Sequence, residues 1–350
     1  MTRVSIAALG VTLMTVALPR AQAPGPGAAV IRLDPRLDAI ISAGATLEVL
    51  KEEFFGFTEG TVFVREGTSG YVLFSDMGAN KIYKLTTDGK FSVFLEPSGF
   101  TGSDFSKIRV INNGRLDVAI SGTNGLALDR EGRLVMCTHG DRAIVRLEKD
   151  GKRTVLADRY EGKRLNGPND LVVKSDGAIY FTDRGSGLAG GQDSPLRELK
   201  MLGVFRLKDG TLTLLNTPGM EGANGIAFSP DEKILYFTDS GKIWRWDVRP
   251  DGTVANGRVL FDTSSDKTRG GTDGMKVDRK GNIFTTGPGG VWIVTPDGTV
   301  LGKIRLPGLL PGATSEGAVT NTAFGDADGK SLYINGSRGF YRIRLNAPAI

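Results

Sequence analysis

The sequence contains one cysteine, Cys137, and one histidine, His139, among its 350 residues. A single cysteine excludes an intramolecular disulfide, so packing must hold the fold together, and Cys137 is predicted to be a buried strand residue. Zinc prefers nitrogen and sulfur ligands, and the chain offers one residue of each kind, which argues against a structural zinc site. A serine hydrolase is also disfavoured, because the GxSxG motif is absent and His139 would have to serve any triad.

Neither sign of charge is in large excess: 44 Lys and Arg residues stand against 39 Asp and Glu residues, a formal net charge of +5. No basic face is clustered along the chain, so nucleic-acid binding is not expected. The balance and the absence of a nucleic-acid motif point to a small-molecule partner.

Long apolar runs are absent beyond the N-terminus. Residues 1–23 have Arg3, an apolar stretch through Leu18 and small residues at Ala21 and Ala23, the layout of a secretory signal peptide. The alternative is an N-terminal membrane anchor, although the apolar run is short for a span. We expect export to a periplasm or to the medium.

Glycine, in contrast, is abundant: 49 glycines and 15 prolines are spread along the whole chain. This distribution predicts many turns between short elements and shows no linker that would divide the chain. A 40% hydrophobic content is ample for a core. We therefore expect an N-terminal segment over residues 24–49 and a single domain over residues 50–346.

One pattern recurs six times. The units are EGTVFVREGTSGYVLFSD from Glu59, NGLALDREGRLVMCTHG from Asn124, NDLVVKSDGAIYFTD from Asn169, NGIAFSPDEKILYFTD from Asn224, DGMKVDRKGNIFTTG from Asp273 and NTAFGDADGKSLYING from Asn321. In five units a glycine stands eight positions after the first residue, and the unit from Asn224 has SPDEK there instead. Each unit therefore reads as strand, tight turn, strand.

Further β pattern around a DG turn follows most units, which gives four strands per unit. The first residues recur at intervals of 65, 45, 55, 49 and 48 residues. This period fits a propeller blade, and the helical pattern of a solenoid is missing. The sequence thus predicts an all-β fold, a six-bladed β-propeller with four-stranded blades. The segment before Glu59 is expected to supply a strand that closes the last blade.

The first strand of each propeller blade lines the central channel, so the six leading residues should form a ring around its axis. All six are carboxylates or carboxamides: Glu59, Asn124, Asn169, Asn224, Asp273 and Asn321. A turn preference alone is an alternative explanation. Two carboxylates with several amide oxygens suit a hard divalent cation, Ca²⁺ first and Mg²⁺ next, ahead of Mn²⁺ or Zn²⁺.

The second strand of each unit returns to the same face. His139, Asp183 and Asp239 stand at the ends of such strands and could reach a ligand above the ion. Turn capping is the alternative for the two aspartates, and a structural role is the alternative for His139.

These motifs resemble the senescence marker protein/gluconolactonase family, whose members are six-bladed propellers. The family includes regucalcin-like proteins and calcium-dependent sugar lactonases. The resemblance is carried by THGDRAIVRLEKDG, VLADRYEGKRLNGPNDLVVKSDGAIYFTD, NGIAFSPDEKILYFTD and TDGMKVDRKGNIFTTGPGGVWIVTPDG, and it covers most of residues 50 to 345. It implies metal ligands at Glu59, Asn224 and Asp273, with Asn169 as a further ligand or a substrate contact.

The resemblance also implies lactone hydrolysis, in which the ion polarises the ring carbonyl and water attacks after losing a proton. Asp273 is the first candidate for the base, by resemblance and position. His139 is the second, because an unperturbed imidazole titrates near neutrality. Arg164 is placed to meet a substrate oxygen, with a surface salt bridge as the alternative.

The chain departs from the family pattern at two places. Thr138 stands before the histidine where many relatives have an acidic residue, and Arg184 to Gly187 follow FTD where they have Pro-Pro-Tyr-Gly. Both departures lie on the face above the metal and bear on the substrate. Two other functions remain open: a paraoxonase-like aryl ester or organophosphate hydrolase, and a non-catalytic ligand-binding propeller with structural calcium.

Overall fold

A computed structural model of the chain describes residues 29–52, 55–215, 220–306, 319–336 and 338–350. The predicted signal peptide, residues 1–23, lies outside the described residues. Within these ranges the chain forms strands and four short 3-10 turns, Pro35–Ala39, Phe105–Lys107, Gly185–Gly187 and Gly191–Asp193, and no α-helix. No helix among the described residues is long and apolar enough to cross a membrane.

The strands form six antiparallel blades, as predicted, and their innermost strands contact one another around a central channel. From the inside outward, blade 1 contains Thr58–Glu66, Ser69–Asp76, Lys81–Thr86 and Phe91–Leu95; blade 2 contains Thr123–Leu128, Leu134–Thr138, Ala143–Leu147 and Arg153–Ala157; blade 3 contains Pro168–Val173, Ile179–Asp183, Gly203–Lys208 and Thr211–Leu214. Blade 4 contains Ile226–Phe228, Ile234–Asp239, Lys242–Val248 and Val254–Asp262; blade 5 contains Met275–Val277, Ile283–Gly287, Gly290–Val294 and Val300–Ile304; blade 6 begins with Val319–Gly325, Ser331–Gly336 and Gly339–Arg344.

The N-terminal segment closes the ring. Its strand Leu47–Lys51 pairs with Gly339–Arg344 and is the fourth, outermost strand of blade 6, as the sequence predicted. A second strand, Val30–Arg32, adds a fifth strand to blade 5 by pairing with Val300–Ile304. Pairing the start of the chain with its end completes the last blade and closes the ring of blades. Two short hairpins, Val110–Asn112 with Asp117–Ala119 and Arg159–Tyr160 with Lys163–Arg164, lie between blades.

The turns between first and second strands explain the recurring glycine. Gly67, Gly132, Gly177, Gly281 and Gly329 all have positive φ angles, between 58° and 86°. Only glycine adopts this left-handed conformation without a steric cost. In blade 4 the same position is Glu232, with φ of 56°, so the turn is conserved in shape although its glycine is missing. The Glu232 carboxylate accepts hydrogen bonds from Ser175 of blade 3, which offsets part of that cost.

The hydrophobic core consists of six clusters, one between each pair of neighbouring blades. Phe74 of blade 1 stacks on Phe340 of blade 6 with ring centroids 4.3 Å apart. Cys137 lies fully buried between blades 2 and 3, which confirms its prediction as a core strand residue. Since every blade buries both of its faces, the channel walls are held rigidly.

Candidate functional site

The six leading residues of the repeat lie where the innermost strands begin, at one end of the channel. Glu59, Asn124, Asn169 and Asn321 are buried there, and Asn224 and Asp273 are half-buried. Glu59, Asn124, Asn169 and Asn321 belong to innermost strands, whereas Asn224 and Asp273 each lie two residues before theirs. All six therefore lie at the start of the innermost strand of their blade, as predicted from the repeat.

Hydrogen bonds between blades fix the backbone of this ring. The hydroxyl of Thr182 in blade 3 donates to the carbonyl of Asn224, at 2.7 Å. Thr238 in blade 4 donates in the same way to the carbonyl of Asp273, at 2.7 Å. Ser75 in blade 1 donates to the carbonyl of Asn124, at 2.8 Å. These hydroxyls stand one position before the acid that ends FSD or FTD, a regularity of the sequence whose role the sequence alone did not reveal.

Four leading residues are followed by glycine, and close approach of the next blade explains why. A Cβ at Gly225 would lie 2.2 Å from the carbonyl oxygen of Asp273, and a Cβ at Gly274 would lie 2.2 Å from the Asn321 side chain. Such distances leave no room for a side chain. Blade 3 has Asp170 at this position, and the Asp170 carboxyl packs against Gly125 of blade 2.

Carboxyl groups from three blades face one another in the ring. The side chains of Glu59 and Asn224 lie within hydrogen-bonding reach of the Asp273 carboxyl. Burial above all, and then the carboxylates of Asp273 and Asp170, raise the pKa of Glu59 well above its usual range. Burial also raises the pKa of Asp273 to about 7, against the opposing effect of the Arg184 guanidinium. The site thus concentrates negative charge that a cation would stabilise.

Amide oxygens without partners accompany these carboxyls. The Oδ1 atoms of Asn224 and Asn124 are buried and accept no hydrogen bond within the described part of the chain. A buried polar atom left unsatisfied costs free energy, and a bound cation would remove that cost. Across the described ranges, no group of three or more His, Cys, Asp or Glu side chains is arranged to hold a metal by itself. An ion in the ring would therefore need amide ligands as well, and the oxygen-only donor set fits Ca²⁺ or Mg²⁺.

Asn321 links the carboxyl of Glu59 to the ammonium of Lys276. Asn321 donates from Nδ2 to a Glu59 carboxylate oxygen at 3.5 Å, and its Oδ1 accepts from the ammonium of Lys276 at 3.4 Å. Burial raises the pKa of Asp170, and the charge of Lys276 counters part of that rise. No role was predicted for Asp170 or Lys276 from the sequence. The only signal for Lys276 was a lysine within an innermost strand.

Asn169 belongs to the ring but is not joined to its carboxyls, and Arg164 lies outside the ring. Asn169 is buried at its ring position, and among the described residues no hydrogen bond links its side chain to Glu59 or Asp273. Arg164 donates from Nη2 to the carbonyl of Asp141 at 2.8 Å and lines a cavity of about 420 Å³. Its backbone N–H also donates to the carboxylate of Glu198. Arg164 therefore belongs to a cavity between blades 2 and 3.

His139 is buried beneath a turn of blade 3. Its Nδ1 lies 3.1 Å from the carbonyl oxygen of Pro168, so Nδ1 carries the proton and Nε2 is left unprotonated, buried and without a partner in the described structure. The backbone of Gly187 lies directly against the imidazole of His139, since a Cβ on Gly187 would lie 2.1 Å from Nε2. Burial above all, and then the charges of Arg184 and Arg109, lower the pKa of His139 to about 4. A covered imidazole of this pKa is poorly suited to accept a proton from water.

Asp183 and Asp239 hold the loops that lead into the ring. The Asp183 carboxylate accepts hydrogen bonds from the backbone N–H groups of Asn166 and Gly167, at 2.9 and 2.8 Å. Asp239 accepts from the backbone N–H of Glu221 at 2.8 Å. Both carboxylates thus accept hydrogen bonds from backbone N–H groups, which is the turn-capping role given above as their alternative. They fix the loops before Asn169 and Asn224.

We predict that Asp183→Ala lowers the free energy of unfolding by about 2 kcal/mol or more at pH 4, because two buried N–H groups lose their acceptor. Burial raises the pKa of Asp183 to about 6. A raised acid pKa means that the folded state binds the proton more tightly, so the contribution of Asp183 to stability falls as pH rises from about 4 through 6. Denaturant unfolding at pH 4 and 8 should show a smaller difference between wild type and variant at pH 8. A difference that grows with pH would contradict this account.

Arg184 follows Asp183, and its charge acts on the acidic cluster. Its backbone N–H donates to the carbonyl of Gly167 at 3.1 Å. The side chain is half-buried, and its Nε is buried without a hydrogen-bond partner. Burial lowers the pKa of Arg184, and the carboxylates of Asp273, Asp239 and Glu59 counter that effect in this order. The guanidinium charge therefore acts both on the ring carboxyls and on His139.

Comparison with known proteins agrees with this architecture. The family described as SMP-30/Gluconolactonase/LRE-like region matches residues 57–338. The gluconolactonase of Zymomonas mobilis subsp. mobilis is 34% identical over 325 residues, which are 90% of this chain and 85% of that protein. The L-arabinolactonase of Azospirillum brasilense is 39% identical over 118 residues, 32% of this chain and 39% of that protein. Among solved structures, a gluconolactonase of Xanthomonas campestris is 30% identical, with a TM-score of 0.73 over 95% of this chain and 99% of its own.

Proposed function

Because the chain belongs to the SMP-30/gluconolactonase/LRE-like family and is a lactone-hydrolysing enzyme, we propose that it opens a sugar lactone with the help of a divalent cation, Ca²⁺ first. Family membership confirms the resemblance and the hydrolase function expected from the sequence. The metal and the particular lactone are the parts of the proposal that go further. The relatives named for gluconolactone and arabinolactone favour an aldonolactone as the substrate.

The observation that carries the metal proposal is the convergence of Glu59, Asn224 and Asp273 around buried, unpartnered amide oxygens. Glu59, Asp273 and Asn224 would hold the cation, with Asn169 as a further candidate. When bound, the cation supplies Lewis-acid activation of the lactone carbonyl. The two carboxylates offset its charge.

The residues of the chain supply the rest of the chemistry. Asp273 is our candidate base, because its carboxyl lies in the ring within reach of Glu59 and Asn224, where a water beside the cation would give up its proton. Asn321 and the hydroxyl of Thr238 hold Glu59 and the backbone of Asp273 in place. His139 is covered by Gly187, so we assign it an orienting role beneath the loop. Rigid blades keep these groups positioned without reorganisation.

A panel of substrates tests the proposal against its alternatives. Aldonolactones, aryl esters and phosphotriesters would be assayed with the calcium-loaded protein. We expect the highest kcat/KM with an aldonolactone. Faster turnover of an aryl ester or a phosphotriester would favour a paraoxonase-like hydrolase, and binding of a sugar without turnover of any substrate would indicate a ligand-binding propeller. We also propose export to the periplasm or the medium; N-terminal sequencing of the mature protein should begin near Pro24.

The ion should stabilise the fold. A ligand that binds only the native state contributes about 2.7 kcal/mol at a hundredfold excess over its Kd. Melting curves of chelator-stripped protein should therefore shift upward as Ca²⁺ is added. If Ca²⁺, Mg²⁺, Mn²⁺ and Zn²⁺ all leave the curve unchanged, the ring is not an ion site. Glu59→Gln is the matched control, because the loss of one carboxylate should reduce the shift while the blades remain intact.

A further inference from the structure

Arg184 is a half-buried cation with no fixed partner. Within the described ranges its guanidinium makes no hydrogen bond or ion pair, and its Nε is fully buried. The guanidinium of Arg142, in contrast, donates from Nε to the carbonyl of Leu165 at 2.6 Å. A desolvated guanidinium without a partner is costly unless something else meets its donors.

The position of Arg184 is fixed by the turn that follows it. The Gly185 N–H donates to the side-chain oxygen of Gln192 at 2.9 Å, and the Leu188 N–H closes the turn onto the Gly185 carbonyl at 3.1 Å. Gly187 is packed against the His139 ring with no space for a Cβ. Because the turn is anchored on both sides, the backbone cannot easily withdraw the guanidinium from the site.

The charges around Arg184 change when a cation occupies the ring. Asp273, Asp239 and Glu59 are the carboxylates that offset the burial of the guanidinium. Asp273 and Glu59 are the proposed ligands, whose charge a divalent ion would take up. The oxygens of the remaining carboxylate, Asp239, accept from the hydroxyl of Ser240 and from the backbone of Glu221. With a cation bound in the ring, the N–H donors of Arg184 would therefore have no free carboxylate to pair with.

We propose that Arg184 binds a carboxylate in the active site and so makes this enzyme selective for it. A planar guanidinium pairs with a carboxylate through two parallel hydrogen bonds. The carboxylate has two sources: a substituent on the lactone, as in lactones of aldaric acids, or the acid group released by ring opening. This inference rests on the proposed lactonase function and extends it to a specificity-determining residue.

The test compares wild type with Arg184→Gln by calorimetry and kinetics. Gluconate and glucarate serve as carboxylate ligands, and 1,5-anhydroglucitol serves as the neutral sugar. We expect Arg184→Gln to weaken carboxylate binding about ten- to a hundredfold and the neutral sugar less than about threefold. Calcium should bind the variant more tightly at pH 8, because a neighbouring positive charge has been removed. This second measurement does not depend on turnover.

Kinetics then distinguish the two sources. A selective loss of kcat/KM with glucaro-1,4-lactone, relative to glucono-1,5-lactone, indicates a carboxylate carried by the substrate. Weaker gluconate inhibition with unchanged kcat/KM on both lactones indicates the released acid. Arg146→Gln is the matched control, because Arg146 pairs with Glu148 on blade 2 at 2.7 Å, away from the ring. Arg184→Lys keeps the charge but cannot form the two parallel hydrogen bonds of a guanidinium. Its affinity for the carboxylate ligands should lie between those of wild type and Arg184→Gln.

Equal loss of neutral and charged ligands in Arg184→Gln, or no loss of either, would overturn the inference. Should the Gln variant fail to fold, Arg184→Lys carries the same comparison. If wild type hydrolyses no lactone yet binds gluconate and glucarate through Arg184, the proposed function fails and the carboxylate site stands.

Discussion

Asp273→Asn should lose about 10²- to 10⁴-fold in kcat with the divalent ion saturating, the range typical of a lost general base. The substitution keeps the shape of the side chain but removes the negative charge and the proton acceptor. In the ring, Asp273 lies within reach of both Glu59 and Asn224, and Thr238 holds its carbonyl oxygen. The backbone should therefore stay in place. The measurement is kcat at increasing ion concentration until activity no longer rises.

His139→Gln provides the contrast. Its imidazole is covered by Gly187 and its pKa is lowered to about 4, so it is poorly suited to accept a proton from water. We expect this variant to bind the ion normally and to lose less than about tenfold in turnover, below the range of a general base. A thousandfold loss with the ion still bound would reverse the two roles and point to histidine-assisted chemistry of the paraoxonase type.

Gly225→Ala should lower the free energy of unfolding by about 3 kcal/mol, the upper end of the usual cost of overpacking. The added methyl would lie 2.2 Å from the Asp273 carbonyl oxygen and 2.7 Å from the Cα of Gly274. Both obstacles are backbone atoms of the neighbouring blade, so the ring itself must shift. The Gly225 N–H also donates to the backbone carbonyl of Asp273, at 3.1 Å. We therefore expect weaker ion affinity as well, measured by calorimetry beside denaturant unfolding.

Gly271→Ala is the matched control for this prediction. Gly271 lies two residues before Asp273, and a Cβ there would meet no atom within 4 Å. Its unfolding free energy should stay within about 0.5 kcal/mol of wild type, as for most surface substitutions. Similar losses in both variants would show that the effect of Gly225→Ala comes from glycine replacement in general.

The fold could be predicted from the sequence because a propeller repeats one local pattern. Glycine eight residues after five of the six leading residues marks a left-handed turn, and the alternating runs on either side mark the two strands. Blade 4 shows the limit of that signal. Glu232 adopts the same left-handed backbone as the glycines elsewhere, which composition could not foresee. The repeat was still recognisable there because the flanking strands and the leading Asn224 were present.

The ring followed from register, since residues at equivalent positions in six blades must meet at one end of the channel. Contacts between blades did not follow from register. Asp170 and Lys276 interact with each other because the innermost strands of blades 3 and 5 face the same channel. The sequence marked Arg184 as a departure from the family pattern, but the interaction of its charge with the ring carboxyls depends on the turn after it. Loop conformation also decides that Gly187 covers His139.

Restoration of activity in chelator-stripped protein tests the central claim most directly. Wild type would be treated with chelator, freed of it, shown to be folded by circular dichroism, and assayed with an aldonolactone while Ca²⁺ is added. If Glu59, Asn224 and Asp273 hold a cation that the reaction needs, stripped protein should be inactive and activity should return as about one equivalent of Ca²⁺ binds with micromolar or tighter affinity. Full lactone hydrolysis by the stripped, folded protein would contradict the account.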